Sequence, residues 1–222
     1  MNVLVVVAHP DDEVLGCGGT ILKHVRKGDS VTVVFMTNGV GARAANNGQV
    51  DEKKRRKMSA EACEIMGVER VIEFNFPDNQ MDSVPLLSVI RSLEEVLKEA
   101  MYEVVYTHFH GDLNVDHRIV SKAVLTACRP TPGGSVKAIY GFEVISSTEW
   151  SFASNDAFHP NMFVDITHEY QGKLAAFDAY AEEMRGAPHA RSRENLESQC
   201  VIRGSSVGVR HAEGFVVYRV LQ

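Results

Sequence analysis

The stretch NVLVVVAHPDDE, residues 2–13, joins an almost continuously apolar run to one histidine and three consecutive acidic residues. A short, β-branched run that does not alternate with polar residues is typical of a strand covered on both faces of a sheet. The same pattern recurs and predicts strands at residues 2–8, 31–37, 70–74, 102–107 and 137–145. The charged residues of AHPDDE therefore follow the carboxyl end of the first predicted strand.

The segments between these strands are long enough for helices, and three of them carry apolar residues at helical spacing. A clear example is the apolar stripe formed by Leu86, Ile90, Leu93 and Leu97. Helices are accordingly predicted at about residues 14–27, 51–66, 84–100 and 116–128. This alternation of strands and helices predicts an α/β fold with helices on both faces of a mostly parallel sheet.

The chain after residue 145 is less regular. It contains a loop-like stretch at 146–163, a predicted helix at 167–184 and a predicted closing strand at 213–221. No linker or repeat separates this part from the rest, so we expect a single domain over residues 1–222. In that domain, residues 1–145 supply the core strand–helix repeats. Residues 146–222 cover part of the sheet, either as scaffold or as a substrate-binding part.

Composition limits the classes of function. The net charge of −6, from 29 acidic residues against 23 lysines and arginines, gives no reason to expect a nucleic-acid partner. The first apolar run ends at Ala8, too early for a signal peptide or a membrane span, so we expect a cytoplasmic protein without a membrane partner. The cysteines have no paired spacing, which favours free thiols in a reducing compartment; they are Cys17, Cys63, Cys128 and Cys200.

Two clusters of histidine and aspartate lie where a ligand is expected to bind. Open α/β sheets bind ligands beyond the carboxyl ends of their strands. One cluster is AHPDDE, and the other is HFHGDLNVDH, residues 108–117, which follows the fourth predicted strand. Both clusters are therefore expected at the same edge of the sheet.

These clusters contain the residue types of a catalytic zinc site, in which three histidine or carboxylate ligands leave one position for water. His9, Asp12 and His117 could supply the three ligands. The proline after His9 fixes the backbone there, so His9 and Asp12 can turn towards one point while Asp11 projects away from it. Asp11 would then be free to act as a base on the metal-bound water.

Simpler explanations exist for parts of these motifs. Asp12 and Glu13 could merely favour a helix N-terminus by their charge, although this leaves His9 and the second cluster unexplained. GCGGT, residues 16–20, matches neither of the phosphate-binding glycine motifs, so close helix packing explains it better. Most of DEKKRRK, residues 51–57, is expected on a solvated helix face, with one arginine able to bind a substrate hydroxyl or phosphate.

AHPDDE and DLNVDH together resemble the motifs of the PIG-L or LmbE-like family of zinc-dependent deacetylases. Four further stretches extend the resemblance over most of the chain: RRKMSAEACEIMGV, FPDNQMD, EVISSTEW and AEGFVVYRV. The resemblance implies a Rossmann-like three-layer sandwich with one Zn²⁺ per chain. It also implies removal of the acetyl group from an N-acetylglucosamine-type sugar or its conjugate.

Carried onto this sequence, the resemblance makes Asp11 the general base and assigns the zinc to His9, Asp12 and His117. It places Arg55 in contact with the sugar, with the adjacent arginine as the alternative. Met58 stands where relatives often carry a glutamate, so the sequence does not show what orients Arg55.

Asn114 stands where many relatives carry a histidine that stabilises the oxyanion or protonates the leaving amine. Because asparagine cannot deliver a proton, either Asp11 returns it or another histidine takes the role. The candidates for that role are His110 and His189, and the other isolated histidines are expected to be structural or exposed. The candidates for substrate contact or oxyanion stabilisation are therefore Arg55, Asn114, Asp116, His110 and His189.

Two other functions are compatible with the same residues. Two histidines and one carboxylate also form the metal site of a non-haem iron oxygenase, although such an enzyme has no evident use for a free Asp11. The second alternative is a non-catalytic Rossmann-like module that binds a sugar or a nucleotide. The expected partner is a small N-acetylated sugar or conjugate, and homo-oligomers are common in the family that the chain resembles.

Overall fold

One seven-stranded sheet forms the centre of the structure, a computed structural model that describes residues 1–41, 52–152 and 156–221. Its strands are β1 Asn2–Val7, β2 Ser30–Thr37, β3 Arg70–Phe76, β4 Val104–His108, β5 Ala138–Phe142, β6 Met162–Asp165 and β7 Ala212–Val220. Their spatial order is β3-β2-β1-β4-β5-β7-β6. The strands β1 to β5 are parallel, whereas β7 is antiparallel to its neighbours β5 and β6.

The helices of the described residues cover both faces of the sheet. They are α1 Asp12–Arg26, α2 Glu52–Met66, α3 Leu86–Glu99, α4 Val115–Ala127, α5 Tyr170–Ala179 and α6 Arg193–Ser205. Side chains of β1 alternate between two cores, because successive residues of a strand point to opposite faces. Val3 and Val5 pack with α1, α2 and α5, whereas Leu4 and Val6 pack with α3 and α4. The predicted three-layer α/β sandwich with a mostly parallel sheet is confirmed.

Two elements were not predicted, and α5 is shorter than the helix predicted at 167–184. β6 begins in the last two residues of the stretch predicted as loop, and a four-residue, half-buried strand at the sheet edge is too short to give an apolar pattern. The helix α6 was missed because only one narrow stripe of it is buried, formed by Leu196, Cys200 and Gly204. Residue 51 of the predicted second helix and residues 153–155 of the predicted loop lie outside the described residues. Among the described helices, none has the length and apolar character needed to cross a membrane.

The helix α1 is kinked at Cys17, within the glycine-rich stretch GCGGT. A Cβ atom added to Gly16 would stand 2.2 Å from the Phe142 ring, and one added to Gly19 would stand 2.8 Å from Ile166. Neither neighbour is the flexible end of a long side chain. Close packing therefore explains these glycines, as the sequence indicated.

Glu213 of β7 caps the half of α1 that follows the kink. Its carboxylate accepts hydrogen bonds from the backbone N–H groups of Gly19 and Thr20, at 2.9 and 2.7 Å. Lys173 donates to the same carboxylate at 2.6 Å and to the carbonyl oxygen of Leu15 at 3.0 Å. Because Lys173 and Glu213 are both buried, each compensates the charge of the other.

We expect Glu213→Ala to lower the free energy of unfolding by about 3–5 kcal/mol, because the Lys173 ammonium then stays buried without its carboxylate. Urea denaturation followed by circular dichroism measures this loss. The matched control is Glu95→Ala, which removes an exposed partner of Lys98 and should change stability far less. Equal stability of the two variants would contradict this account of the buried pair.

Candidate metal centre and active site

The carboxyl ends of β1 and β4 lie side by side, because the two strands are parallel neighbours in the sheet. β1 leads directly into His9 and Asp12, and the loop after β4 leads into α4, which carries His117 in its first turn. A hydrogen bond of 2.8 Å from the backbone N–H of Ala8 to His108 Nε2 connects the two segments. The topology therefore brings the two distant sequence motifs together.

The three predicted metal ligands converge at this edge of the sheet. The donor atoms His9 Nδ1, Asp12 Oδ2 and His117 Nε2 are 3.3 Å apart in every pair. A tetrahedral zinc ion with ligands at 2.0–2.1 Å requires ligand–ligand distances of about 3.3–3.4 Å. The three atoms, called the donor triangle below, therefore have the spacing of three corners of a zinc site.

The outer nitrogen of each histidine faces a carboxylate. His9 Nε2 is 3.1 Å from both Asp116 Oδ2 and Asp78 Oδ1, and His117 Nδ1 is 3.2 Å from Asp112 Oδ1. These carboxylates favour a proton on the outer nitrogens, which leaves the lone pairs of the inner nitrogens directed into the donor triangle. Converging lone pairs repel one another unless a cation lies between them, so this set of donors fits a divalent metal ion.

The carboxylates behind the histidines are themselves held in place. Asp116 accepts hydrogen bonds from two backbone N–H groups, at 2.7 and 3.0 Å. Asp112 accepts from the hydroxyl groups of Ser147 and Thr148. Burial alone would raise the pKa of Asp112, but His117 and the two hydroxyl groups lower it to about 2. Both carboxylates are thus held in place by hydrogen bonds beside the two histidines.

The surrounding charges favour a cation at the donor triangle. Burial alone would lower the pKa of His117, but the charge of Asp12 and hydrogen bonds to Asp112 and Asp12 raise it to about 9. The neighbouring His108 stacks on His117 with ring centroids 3.9 Å apart, and burial together with the charge of His117 lowers its pKa. An environment that favours a proton on His117 also favours a metal ion in its place.

Asp11 lies next to the ligands in sequence but pairs with a separate group of charged side chains. Its φ of 108° is in the left-handed region that few non-glycine residues adopt. Asp11 Oδ2 accepts a hydrogen bond from Arg191 Nη1 at 2.7 Å and is 3.4 Å from Arg55 Nη2. Asp11 Oδ1 is buried and has no hydrogen-bond partner among the described residues. Burial raises the pKa of Asp11 above its usual value, although Arg191 and Arg55 oppose this shift.

Glu13 and Tyr180 support the backbone of this segment. Glu13 Oε2 accepts a hydrogen bond from the backbone N–H of Asp11 at 3.0 Å, and Glu13 Oε1 accepts from the Tyr180 hydroxyl at 2.7 Å. Burial raises the pKa of Glu13 to about 8. Glu13 therefore stabilises the strained turn at Asp11 from inside the protein.

Arg55 is the arginine of DEKKRRK that reaches the site, whereas the Arg56 side chain is 67% exposed. Arg55 donates to a backbone carbonyl group at 2.5 Å, pairs with Glu183 and lies over the Tyr180 ring, 5.6 Å from its centroid. Met58 is buried in the apolar core. Glu183 and Tyr180 thus orient Arg55, and a glutamate at position 58 is not needed for this.

Asn114 caps the N-terminus of α4. Its Oδ1 accepts hydrogen bonds from the backbone N–H groups of Asp116 and His117, at 2.8 and 3.4 Å, and its Nδ2 donates to Asn79 Oδ1 at 3.0 Å. Such a cap satisfies N–H groups that the first turn of a helix leaves open. The polar groups of Asn114 are therefore already engaged in holding the turn that carries His117.

His110 and His189 are both exposed. His110 Nδ1 is 3.1 Å from the Tyr218 hydroxyl, and His189 Nδ1 accepts a hydrogen bond from the backbone N–H of Arg191 at 3.0 Å. Within the described part of the chain, neither ring forms a hydrogen bond or an ion pair with the donor triangle or with Asp11.

Several residues of this site received no role from the sequence. Asp78 lies in FPDNQMD and Asp112 in HFHGDLNVDH, and both stretches follow predicted strands. Their position beside strand ends could therefore have indicated that they belong to the site. Arg191 and Glu183 come from the C-terminal part of the chain, residues 146–222, for which the sequence predicted only a scaffold or substrate-binding role. Their approach to Asp11 depends on tertiary packing, which no local pattern records.

The chain matches known proteins over most of its length. Residues 4–128 match the PIG-L family, described as GlcNAc-PI de-N-acetylase. Over 181 residues the chain is 33% identical to YaiS, an uncharacterised deacetylase of Escherichia coli strain K12. This match covers 79% of the chain and 88% of YaiS.

Two solved structures share the fold. N,N'-diacetylchitobiose deacetylase from Pyrococcus horikoshii is 24% identical, with a TM-score of 0.80, and the match covers 98% of this chain and 84% of that one. GalB, the 4-carboxy-2-hydroxymuconate hydratase of Pseudomonas putida KT2440, is 27% identical, with a TM-score of 0.78, over 100% of this chain and 98% of that one. The family match and the Escherichia coli relative show that the chain belongs to the PIG-L family and is a deacetylase, a hydrolase that acts on an N-acetyl amide.

Proposed function

We propose that the protein binds one Zn²⁺ through His9, Asp12 and His117 and deacetylates an N-acetylglucosamine-type sugar or its conjugate. The observation that supports zinc is the donor triangle, whose 3.3 Å edges match tetrahedral coordination. The sugar class is supported by the family description and by the chitobiose deacetylase that shares the fold. Four buried free thiols support a reducing compartment, and we place the reaction in the cytoplasm.

In this mechanism Asp11 is the general base. Zinc, when bound, supplies a Lewis acid for the acetamide carbonyl and lowers the pKa of a bound water. Asp11 Oδ1 is a buried carboxylate oxygen without a hydrogen-bond partner among the described residues, so it is available to accept the proton of the attacking water. Asp11 Oδ2 is held by Arg191, which limits rotation of the carboxylate.

The water oxygen bonds to the acetamide carbonyl carbon, and Asp11 returns the same proton to the nitrogen as the C–N bond breaks. The products are acetate and a free amino sugar. Asn114 is engaged as a helix cap, and His110 and His189 make their hydrogen bonds elsewhere. These contacts support a single proton carrier over a separate general acid.

We further propose that residues 1–222 form a single domain. Strand β7, from the C-terminal part, lies between β5 and β6 in the same sheet. Arg191 and Tyr180, also from that part, contact Asp11 and Glu13 near the N-terminus. The C-terminal part therefore contributes side chains to the site as well as covering the sheet.

The test is a mass-spectrometric screen of N-acetylated sugars and their conjugates with the purified protein, run with and without a chelator. We expect loss of one acetyl group, release of an equal amount of acetate and one equivalent of bound zinc. Chelation should abolish the reaction, and added Zn²⁺ should restore it.

Three results would argue for another function. Bound iron with substrate-dependent oxygen consumption would indicate an oxygenase. Hydration of an unsaturated acid without acetate release would indicate the chemistry named for GalB. Sugar binding without any turnover would indicate a binding module.

A further inference from the structure

Arg191 connects Asp11 to two other parts of the site. It lies in the loop between α5 and α6, with Nη1 2.7 Å from Asp11 Oδ2 and 3.4 Å from Glu183 Oε2. Its Nε donates to Ser146 Oγ at 2.7 Å. The Arg191 side chain is 23% exposed, whereas that of Asp11 is 1% exposed. A single guanidinium therefore reaches from a buried carboxylate towards solvent.

Arg55 does not hold the Asp11 carboxylate in the same way. Its nitrogens bind a backbone carbonyl group and Glu183, and its 3.4 Å distance to Asp11 Oδ2 is longer than a usual N–H···O hydrogen bond. Arg191 makes the short, charge-assisted bond to Oδ2, while Oδ1 has no partner among the described residues. One oxygen is held and the other is left free of hydrogen bonds to the described residues, so the carboxylate has a defined direction for proton transfer.

The loop after β5 fixes Arg191 relative to the metal ligands. Ser146 accepts the hydrogen bond from Arg191 Nε, and the next two residues, Ser147 and Thr148, donate to Asp112. Asp112 in turn faces His117. The EVISSTEW stretch therefore links the support of Asp11 to the support of a ligand, and a displaced Arg191 would turn Asp11 relative to the donor triangle.

We propose that Arg191 is a positioning residue that holds Asp11 in the orientation required for proton transfer. The proposal rests on the proposed function, since that function makes Asp11 the base. Arg191 acts through Asp11, and its removal should affect the chemical step more than substrate binding.

The first test is Arg191→Ala. We expect kcat to fall about 10²-fold with KM and bound zinc nearly unchanged, because a misplaced catalytic group has an effect of that size. Millimolar guanidinium should restore activity in a saturable manner, because the deleted side chain was partly exposed and leaves a site open to solvent. Asp11→Asn should not respond to guanidinium.

Two further variants make the test specific. Arg191→Lys keeps the charge but loses the planar fork that joins Asp11 to Ser146, so its kcat should lie between those of wild type and Arg191→Ala. The matched control is Arg185→Ala, an exposed arginine of the same region that donates to backbone carbonyl groups, and its kcat should equal that of wild type. If Arg191→Ala does not fold, as judged by circular dichroism, the lysine variant decides the question.

The outcomes separate this proposal from the proposed function. An unchanged kcat, a raised KM at unchanged kcat, or a fall with loss of zinc and no guanidinium rescue would each overturn the positioning role. If any one of these results is obtained while the wild-type protein releases acetate and Asp11→Asn does not, the proposed function stands and only this inference fails. A wild-type protein that deacetylates no sugar overturns both.

Discussion

Asp11→Asn is expected to lower kcat for acetate release by about 10²- to 10⁴-fold, the usual contribution of a positioned general base. The asparagine amide has the shape of the carboxylate but cannot take a proton from water. Its oxygen can still accept the hydrogen bond that Arg191 now makes to Asp11 Oδ2 at 2.7 Å. The fold and the donor triangle should therefore persist, and the loss should lie in the chemical step.

Acetate release at saturating substrate, measured together with zinc content, checks this result. The control is Asp178→Asn, which removes a surface carboxylate paired with Arg193 and should leave kcat unchanged. Full activity of Asp11→Asn would exclude Asp11 as the base. Loss of zinc in parallel with activity would instead assign Asp11 to the metal site.

The central strands could be predicted from the sequence because burial on both faces leaves a continuous apolar run. The run at residues 2–8 is such a case, and Val3 to Val7 are fully buried or nearly so. Strand β6 and helix α6 could not be predicted, since β6 is a short edge strand and α6 is mostly polar. Their formation depends on β7 and on the core beneath them.

The convergence of the three proposed metal ligands could be predicted for a related reason. His9 and Asp12 directly follow a buried strand, and His117 lies in the first turn of a helix reached from the neighbouring strand. The polypeptide topology alone then places the three side chains at one edge. The local sequence contained enough information because each of the three side chains is attached to a rigid element.

The charged residues that surround Asp11 could not be predicted in this way. Arg191 and Glu183 come from a loop region distant in sequence, and a single charged residue in a loop is usually solvated. The packing of α5 against α1 and α2 brings that region to Asp11. The sequence therefore identified the groups proposed for the chemistry but not the charged side chains that surround Asp11.

His117→Ala is expected to abolish stoichiometric zinc binding and, with it, acetate release. The substitution removes one corner of the donor triangle, in which each atom is 3.3 Å from the other two. A catalytic zinc site requires three protein ligands, and His9 and Asp12 alone do not supply them. Zinc should raise the melting temperature of the wild-type protein, because it binds the folded state, but not that of His117→Ala.

A graded comparison tests whether the effect comes from ligation. Asp112→Asn keeps all three donors and alters only the carboxylate 3.2 Å from His117 Nδ1, so zinc affinity should fall about 10- to 100-fold. His110→Ala is the matched control, since this exposed histidine of the same loop bonds to Tyr218. It should keep one equivalent of zinc. If His117→Ala retains tight zinc binding while Asp112→Asn or His110→Ala loses it, the donor triangle is not the metal site.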